Sequence, residues 1–258
     1  MVSIDLSGKH ALVMGVANHR SLSWAIAQQL HQAGARLCLT YAGERLRASV
    51  DELAATLPGT LTLECDVTRD ETIDAVAQRL TSEFGAIESL VHGIAFARKE
   101  DLEGSFVATP RDGFMSALDV SAYSLLNVTN RVLPLLEKNG AGIVTLSYLA
   151  AERAVPSYNV MGSAKAVLEQ SVRQLAYELG PKRIRVNAVS AGPVSTLAAR
   201  GIHGFTGMLK QHAERAPLRR NVTKEEVGAC GLFLLSDLSS GITGEVIYVD
   251  AGYSIMGW

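Results

Sequence analysis

The chain has 258 residues, a formal net charge of −2 at pH 7 and a hydrophobic fraction of 48%. This length and composition fit one α/β domain with a large core, and the charge near zero argues against nonspecific binding to nucleic acid or to an anionic membrane. No apolar run is long enough to span a bilayer, and the N-terminal residues lack the pattern of a secretory signal, so we expect a cytoplasmic protein.

The cysteines and histidines do not indicate a disulfide or a metal site. The chain has an odd number of cysteines, which are Cys38, Cys65 and Cys230. Their neighbours are largely apolar, and no two of them form a C-x-x-C pair. We expect reduced, buried thiols. The six histidines do not include an H-E-x-x-H pair, so we expect no metal site.

Short apolar runs alternate with longer amphipathic stretches along the whole chain. The predicted strands are residues 10–15, 36–41, 60–66, 89–94, 142–148, 184–191 and 246–249. The predicted helices are residues 21–34, 44–57, 71–84, 113–137, 157–179, 197–213 and 224–235. This alternation predicts one Rossmann-type domain, a doubly wound parallel sheet of about seven strands with helices on both faces. Ligands of such sheets bind beyond the carboxyl ends of the strands, where the strand order reverses.

The loop after the first predicted strand reads GVANHRS over residues 15–21. It keeps one glycine of the common dinucleotide motif G-x-G-x-x-G, so the motif by itself fails. Taken alone, Gly15 marks a turn, and Ser21 is a suitable N-cap for the helix that follows.

The end of the second predicted strand bears on the choice between NADH and NADPH. No acidic residue, which would bind the ribose 2′-hydroxyl of NADH, stands immediately at the strand end. No basic residue, which would bind the 2′-phosphate of NADPH, stands at Ala42 or Gly43. Arg45 and Arg47 begin a helix, where a solvated charged face is the ordinary interpretation. We therefore expect a preference for NADH if a dinucleotide binds here.

Three further strand ends carry candidate ligand contacts, each with a plain structural interpretation beside it. Asp66 and Val67 end the third strand, where an aspartate commonly caps a turn. Residues 92–97 (HGIAFA) end the fourth strand, and His92 by itself is more typical of a packing residue than of a catalyst. Residues 190–194 (SAGPV) end the sixth strand and, taken alone, predict a turn.

Two tyrosines and a lysine follow the fifth predicted strand. Tyr148 ends that strand, Tyr158 comes ten residues later, and Lys165 seven residues after that. In a helix that begins at Ser157, a spacing of seven is almost two turns, so Tyr158 and Lys165 are expected to share one face. A phenol and an ammonium group on one face suit proton chemistry beside a bound anion or sugar. For an isolated pair, the ordinary interpretation would be two amphipathic helix residues.

Together these motifs resemble the short-chain dehydrogenase/reductase superfamily and, within it, the enoyl-acyl-carrier-protein reductases of bacterial fatty-acid synthesis. The common branch has its catalytic tyrosine where this chain has Met161, and a serine where it has Tyr148. A Tyr-x6-Lys pattern with a second tyrosine upstream looks like the enoyl reductases. Their cofactor loop, G-x5-S-x-A, is matched at Gly15 and Ser21, with Ser23 in place of the alanine. The similarity covers essentially the whole chain.

The resemblance implies NADH-dependent reduction of the trans-2 double bond of an enoyl group carried by acyl-carrier protein, in a homotetramer. Tyr158 would donate a hydrogen bond to the thioester oxygen, Lys165 would bind the nicotinamide ribose, and Tyr148 would line the acyl pocket. The implied cofactor contacts are Gly15, Ser21, Leu22, Ala42, Asp66, Val67, Ile94, Lys165, Val194, Ser195, Thr196, Leu197 and Ala198. The implied substrate contacts are Ala97, Tyr148, Tyr158, Met161 and Phe205. Ser195 stands where many members of the family have a basic residue.

Residues 195–210 are expected to form a lid over the acyl site. Gly201, Gly204 and Gly207 lower the helix propensity of this segment by up to about 1 kcal/mol each, and apolar residues such as Phe205 lie between them. Such a segment gains packing when the pocket is filled. The alternative is a marginal surface helix packed on the core.

Two other functions remain open on the sequence. One is a short-chain carbonyl reductase of the 3-ketoacyl type, against which Met161 at the usual tyrosine position argues. The other is a non-catalytic dinucleotide-binding sensor. The presence of Tyr158 and Lys165 argues against a sensor, which needs no hydroxyl donor.

Overall fold

The computed structural model describes residues 4–196, 199 and 204–257. Its strands are β1 (His10–Met14), β2 (Arg36–Tyr41), β3 (Leu61–Glu64), β4 (Ser89–His92), β5 (Ala141–Ser147), β6 (Ile184–Ala191) and β7 (Val246–Val249). They form one parallel sheet in the order β3-β2-β1-β4-β5-β6-β7. The predicted doubly wound sheet is confirmed. β3 and β4 end two residues before their predicted bounds because the chain turns away at Asp66 and at Gly93.

Helices connect the strands and cover both faces of the sheet. They are α1 (Leu22–Gln32), α2 (Glu44–Ala55), α3 (Asp70–Glu83), α4 (Lys99–Leu102), α5 (Arg111–Leu118), α6 (Ser124–Leu136), α7 (Asn159–Leu179), α8 (Phe205–Arg215) and α9 (Lys224–Leu235). α4 was not predicted because four residues are too few to show a helical period. None of the helices in the described ranges is long and apolar enough to cross a membrane.

The single helix predicted over residues 113–137 is divided into α5 and α6. A turn of π-helix, Asp119–Tyr123, joins them. Such a turn holds one residue more than an α-helical turn and commonly lies near a functional site. Here it contains the buried Ser121, whose hydroxyl accepts a hydrogen bond from the Phe96 N–H at 3.0 Å and donates to the Phe96 carbonyl at 3.1 Å. The π-turn therefore holds the loop that follows β4.

Two helix starts differ from the prediction. α7 begins at Asn159 instead of Ser157, because Ser157 has a φ of 60°, outside the helical range, and Tyr158 takes the N-cap position. Tyr158 is thus the residue before the helix. α8 begins at Phe205, after Gly204 in a left-handed conformation, and ends at Arg215. Residues 197–198 and 200–203 of the predicted helix lie outside the described residues.

The core consists of two apolar layers, one on each face of the sheet. Side chains alternate along β1, so Leu12 and Met14 enter one layer while Ala11 and Val13 enter the other. α3, α6 and α7 cover the first layer, and α1, α2 and α9 cover the second. These four of the five β1 side chains are fully buried, as expected for a central parallel strand.

The strand order reverses between β1 and β4, and this point opens a crevice at the carboxyl ends of both strands. Two glycines form its floor. Gly15 has φ of 83°, and a Cβ added there would lie 2.0 Å from the Gly93 carbonyl oxygen. The Gly93 N–H donates to the Met14 carbonyl at 3.3 Å. The backbones of the two loops therefore approach as closely as only glycine permits.

Candidate active site

The Ser21 hydroxyl organises the loop between β1 and α1. It accepts hydrogen bonds from the backbone N–H groups of Ala17 at 3.0 Å and Asn18 at 3.2 Å. Ser21 occupies the N-cap position of α1 with an extended backbone, but its side chain makes no capping bond to the helix. The predicted capping role is therefore wrong for the side chain, because the loop folds back and its amides reach the hydroxyl first. The N–H groups of Leu22 and Ser23 at the start of α1 lack that cap, and a helix N-terminus of this kind can bind an anion.

We expect Ser21→Ala to weaken NADH binding by roughly tenfold and to lower the free energy of unfolding by about 1 kcal/mol, since two loop amides lose their acceptor. Ser23→Ala is the matched control. The buried Ser23 hydroxyl has no hydrogen-bonding partner within the described part of the chain. Its removal should leave both quantities near those of the wild type. Fluorescence titration with NADH and urea unfolding would measure them, and equal effects in the two variants would contradict this account of the loop.

Neither Ala42 nor Gly43, the two residues at the predicted 2′-position, is basic. Ala42 is exposed and Gly43, with φ of 77°, leads into α2. Arg47 lies 3.6 Å from Glu44 and 3.6 Å from Asp51, both on its own helix. The charge of Glu44 is the main cause that raises the pKa of Arg47. Carboxylates of α2 thus already hold this guanidinium.

Asp66 serves as a turn cap at the end of β3. Its Oδ1 accepts hydrogen bonds from the Thr68 N–H at 3.0 Å and from the Thr68 hydroxyl at 2.7 Å. Its backbone N–H donates to the Thr72 hydroxyl at 3.0 Å. The next side chain, Val67, is buried in the core. The plain structural interpretation of Asp66 therefore holds, and a cofactor contact at Asp66 or Val67 stays a prediction.

His92 ends β4 inside the protein and serves a structural role. Its Nε2 lies 2.8 Å from the Ser124 hydroxyl, which itself donates to the Val120 carbonyl at 2.6 Å. The Thr145 hydroxyl likewise donates to the His92 carbonyl at 2.9 Å, so both hydroxyl protons near the ring are directed to backbone carbonyls. His92 Nδ1 lies 3.1 Å from the Thr145 hydroxyl. Burial, with a smaller contribution from the charge of Lys165, lowers the pKa of His92 to about 3. The imidazole is therefore neutral.

The residues after His92 cross the mouth of the crevice. Gly93 has no room for a side chain, because a Cβ there would lie 1.9 Å from the Ser23 hydroxyl. Ile94 packs against the core, and Ala97 is half-buried. The position of this loop is compatible with the predicted contacts of Ile94 to a cofactor and of Ala97 to a substrate.

Tyr148 and Tyr158 meet just beyond β5. Their ring centroids are 5.0 Å apart, with an angle of 59° between the planes. Burial raises the pKa of Tyr148 to about 12 and also raises the pKa of Tyr158, which the neighbouring Tyr148 raises further. Both phenols are therefore protonated at neutral pH and can donate hydrogen bonds.

Lys165 reaches the same strand end from the second turn of α7. Its side chain is buried, and its Nζ donates to the Leu146 carbonyl at 2.7 Å. Burial lowers the pKa of Lys165 to about 8. The expectation that Tyr158 and Lys165 share a helical face is wrong in its premise, because Tyr158 precedes α7. Residues 146–148 bring the groups together instead: Leu146 holds Lys165, and the ring of Tyr148 contacts Tyr158.

A cavity of about 560 Å³ opens on the other side of Tyr148, between the loop before α7 and α8. Its lining includes Tyr148, Pro156, Met208 and Tyr253. The Tyr148 hydroxyl donates to Met208 Sδ at 3.3 Å. Of the other predicted substrate contacts, Met161 is buried in the first turn of α7, and Phe205 is buried at the start of α8.

The loop after β6 brings further predicted cofactor residues to the same end of the sheet. Val194 packs on a small apolar cluster of Ala216, Val222 and Ala251. The Thr196 N–H donates to the Val194 carbonyl at 2.7 Å, and its hydroxyl accepts from the N–H of residue 199 at 3.1 Å. Ser195 lies between them. Leu197 and Ala198 lie outside the described residues.

Comparison with known proteins decides the family. Residues 15–254 match the sequence model of the family described as enoyl-(acyl carrier protein) reductase. The chain belongs to the enoyl-(acyl carrier protein) reductase family. It is 53% identical to the Bacillus cereus protein named enoyl-[acyl-carrier-protein] reductase [NADH] FabI, over 98% of this chain and 99% of that protein. The Bacillus subtilis protein of the same name is 51% identical over 98% of this chain and 99% of that protein.

Solved enoyl reductase structures share the fold along the whole chain. The Bacillus cereus enoyl-acyl carrier protein reductase, in complex with NADP+ and indole naphthyridinone, superposes with a TM-score of 0.96 at 52% identity, covering 100% of both chains. The Anaplasma phagocytophilum enzyme in complex with NAD gives a TM-score of 0.95 at 44% identity, covering 100% of this chain and 98% of that one. The resemblance drawn from the sequence is thus confirmed.

Three residues beside the candidate site were not predicted from the sequence. Ser147 and Glu169 are hydrogen-bonded behind Lys165, and Met208 contacts Tyr148. A glutamate four residues after Lys165 on a helix was a usable signal, since such residues are neighbours. Met208 gave no signal, because its contact depends on how α8 folds over the sheet. No cluster of potential metal ligands occurs among the residues that the structure describes.

Proposed function

We propose that this protein is an NADH-dependent enoyl-acyl-carrier-protein reductase, which reduces the trans-2 double bond of enoyl thioesters in fatty-acid elongation. The observation that carries this proposal is the near full-length identity of 46–53% to proteins named enoyl-[acyl-carrier-protein] reductase [NADH]. The grouping of Tyr148, Tyr158 and Lys165 around the end of β5 supports it, since it offers two protonated phenols beside a buried ammonium group.

The crevice fits a dinucleotide. At Gly15 and Gly93 the two loops pack so closely that neither position tolerates a side chain, which fixes both loops at the point where the strand order reverses. The first turn of α1 suits a pyrophosphate. Lys165 uses one of its three donors on Leu146 and can offer the others to a ribose. When bound here, NADH would supply the hydride for the β carbon of the substrate.

Tyr158 is the proposed donor to the substrate. Negative charge develops on the thioester oxygen as the double bond is reduced, and a hydrogen bond aimed at that oxygen stabilises the transition state. The raised pKa of Tyr158 keeps its proton in place for this task. Tyr148 would form the wall between the reacting carbon and the cavity beside α8, and we assign Ala97, Met161 and Phe205 to the same acyl pocket.

Lys165 is the proposed ligand of the nicotinamide ribose, and its charge would lie close to the reacting groups. We assign the remaining cofactor contacts to the strand ends that face the crevice. They are Gly15, Ser21, Leu22, Ala42, Asp66, Val67, Ile94, Val194, Ser195, Thr196, Leu197 and Ala198. The lid over residues 195–210 belongs to the proposal, with the described part of α8 already in contact with Tyr148 through Met208.

Acyl-carrier protein is the proposed bearer of the substrate, and we propose a cytoplasmic homotetramer. Exposed apolar side chains on α5 to α7 support association of subunits. Met115 is 57% exposed and Val167 46% exposed, and exposed apolar side chains of this kind suit a subunit interface. Sedimentation analysis would measure the number of subunits.

A direct assay tests the activity. The purified protein should oxidise NADH in the presence of a trans-2-enoyl thioester and not in the presence of a 3-ketoacyl thioester. Turnover of the ketone alone would establish a carbonyl reductase instead. Binding of NADH without turnover of either thioester would favour a dinucleotide sensor.

We expect a higher kcat/KM with NADH than with NADPH, because Ala42 and Gly43 cannot pair with a 2′-phosphate and α2 carboxylates hold Arg47. Ala42→Arg should improve kcat/KM for NADPH by roughly tenfold, since a guanidinium binds phosphate through two hydrogen bonds. Gly43 is kept, because its φ of 77° would strain a larger residue. Steady-state kinetics with both cofactors would check this. A wild-type enzyme that prefers NADPH would show that Arg45 or Arg47 reaches the phosphate.

A further inference from the structure

Two successive residues at the end of β5 hold two successive turns of α7. The Leu146 carbonyl accepts from Lys165 Nζ at 2.7 Å, and the next residue, Ser147, donates from its hydroxyl to Glu169 Oε1 at 2.5 Å. Lys165 and Glu169 are four residues apart on α7 and are therefore neighbours on one helix face. The lysine of the proposed active site thus has a carboxylate one turn behind it.

These groups lie inside the protein. Glu169 is 3% exposed, Lys165 5% and Ser147 6%. A buried carboxylate is costly unless charge and hydrogen bonds compensate it, and a buried ammonium has the same requirement. A glutamine or a leucine would fill the volume of Glu169 without that cost. The charge of Glu169 therefore calls for an explanation, and the nearby buried charge of opposite sign provides one.

We propose that Glu169, held in place by Ser147, is a positioning residue that keeps the Lys165 ammonium group protonated and fixed for its contact with the dinucleotide ribose. The inference rests on the proposed function, which assigns that contact to Lys165. Glu169 itself touches neither cofactor nor substrate in this scheme. It acts through the field of its charge on Lys165.

The electrostatic surroundings agree with this role. Burial lowers the pKa of Lys165 to about 8, while the charge of Glu169 raises it. On the β4 side, the neutral His92 contributes no charge. Burial raises the pKa of Glu169, while the Ser147 hydrogen bond, Arg173 and Lys165 lower it.

Two further titratable groups face Glu169 from other elements. Glu152, on the segment after β5, raises the pKa of Glu169. Tyr248 on β7 is affected in turn: burial is the main cause that raises its pKa, and the charges of Glu152 and Glu169 add to that. Neither group supplies positive charge near Glu169, so the compensation comes from the Ser147 hydrogen bond and from the charges of Arg173 and Lys165.

The test is Glu169→Gln, which keeps the shape and the acceptor for Ser147 but removes the charge. Lys165 should then lose its proton at lower pH, by on the order of one pH unit. Such a shift leaves about a tenth of Lys165 protonated at pH 8 instead of about half, so NADH binding should weaken about fivefold at that pH. The loss should diminish towards pH 6. Fluorescence titration with NADH over this pH range measures it.

A second readout does not depend on NADH. In protein labelled at the lysine side chains, the Lys165 signal, assigned by its absence in Lys165→Arg, can be titrated by NMR in the free enzyme. Its midpoint should fall in Glu169→Gln. If the wild type binds no NADH, the proposed function fails, while this titration still decides the effect of Glu169 on Lys165.

Three more variants separate charge from packing. Glu169→Asp keeps the charge and should hold the Lys165 midpoint closer to that of the wild type than Glu169→Gln does. Ser147→Ala should shift it in the same direction as Glu169→Gln but less, because the carboxylate loses its donor. Glu178→Gln changes an exposed glutamate of the same helix and should shift nothing. An unchanged Lys165 midpoint in Glu169→Gln, with the variant folded by circular dichroism, would overturn the proposal.

Discussion

Tyr158→Phe should lower kcat by roughly a hundredfold or more and change the affinity for NADH by less than about threefold. The variant removes one hydroxyl and keeps the ring that packs 5.0 Å from the ring of Tyr148. If that hydroxyl stabilises charge on the thioester oxygen, its loss must appear in the chemical step. Steady-state kinetics with a trans-2-enoyl thioester and direct titration with NADH would separate the two quantities.

Tyr177→Phe is the matched control, because Tyr177 lies on the same helix and is 82% exposed. It should leave turnover and NADH affinity at the values of the wild type. Tyr148→Phe is the informative comparison, since the Tyr148 hydroxyl is 3.3 Å from a methionine sulfur, a weak acceptor, and should contribute less to the rate. Unchanged turnover in Tyr158→Phe together with a large loss in Tyr148→Phe would transfer the donor role to Tyr148.

The sheet could be predicted because its signals are local. Each central strand is a short apolar run that both core layers bury, as the fully buried residues of β1 illustrate. The prediction of secondary structure failed where the conformation depends on a contact between residues that are distant in the sequence. The π-turn between α5 and α6 has no period of its own in the sequence, and it exists because Ser121 bonds to Phe96, 25 residues earlier.

The start of α7 shows the same limit at the candidate site. Ser157 suggested a helix start, yet Ser157 adopts a positive φ and Tyr158 takes the N-cap position, before the helix. Backbone strain of this kind costs roughly 1–3 kcal/mol per residue and persists where the surrounding structure over-determines it. The contact of Tyr158 with Tyr148, ten residues earlier, is such a determinant. The pattern of tyrosines and lysine was thus informative about chemistry, while its helical geometry was not.

Side-chain partners were the least predictable feature. Ser21 was expected to cap α1 and instead binds the two amides of the loop before it. The sequence shows that a serine stands at a helix start, but the path of the preceding loop decides which N–H groups come within reach. Glu169 is similar, because its spacing from Lys165 is visible in the sequence, whereas its burial and its bond to Ser147 depend on the docking of α7 on β5.

Lys165→Ala should weaken NADH binding by roughly tenfold to a hundredfold and lower kcat as well, because charge-assisted hydrogen bonds to the ribose and a nearby positive charge are lost together. This combined effect distinguishes Lys165 from Tyr158, whose loss should act on the rate alone. Lys182→Ala is the control, since Lys182 forms an exposed ion pair with Glu137 at 2.9 Å, and such a pair contributes little. Isothermal titration with NADH and steady-state kinetics would measure both variants.

The pH dependence gives Lys165 a signature of its own. Its pKa is lowered to about 8, so the cationic form is complete well below pH 8 and is lost as the pH rises through that value. NADH binding by the wild type should therefore weaken on the alkaline side of pH 8. In Lys165→Arg that decline should disappear, because a guanidinium stays charged to above about pH 12, even if the larger head group lowers the affinity at every pH. A decline near pH 8 that persists in Lys165→Arg would assign the titration to another group and remove the charge of Lys165 from cofactor binding.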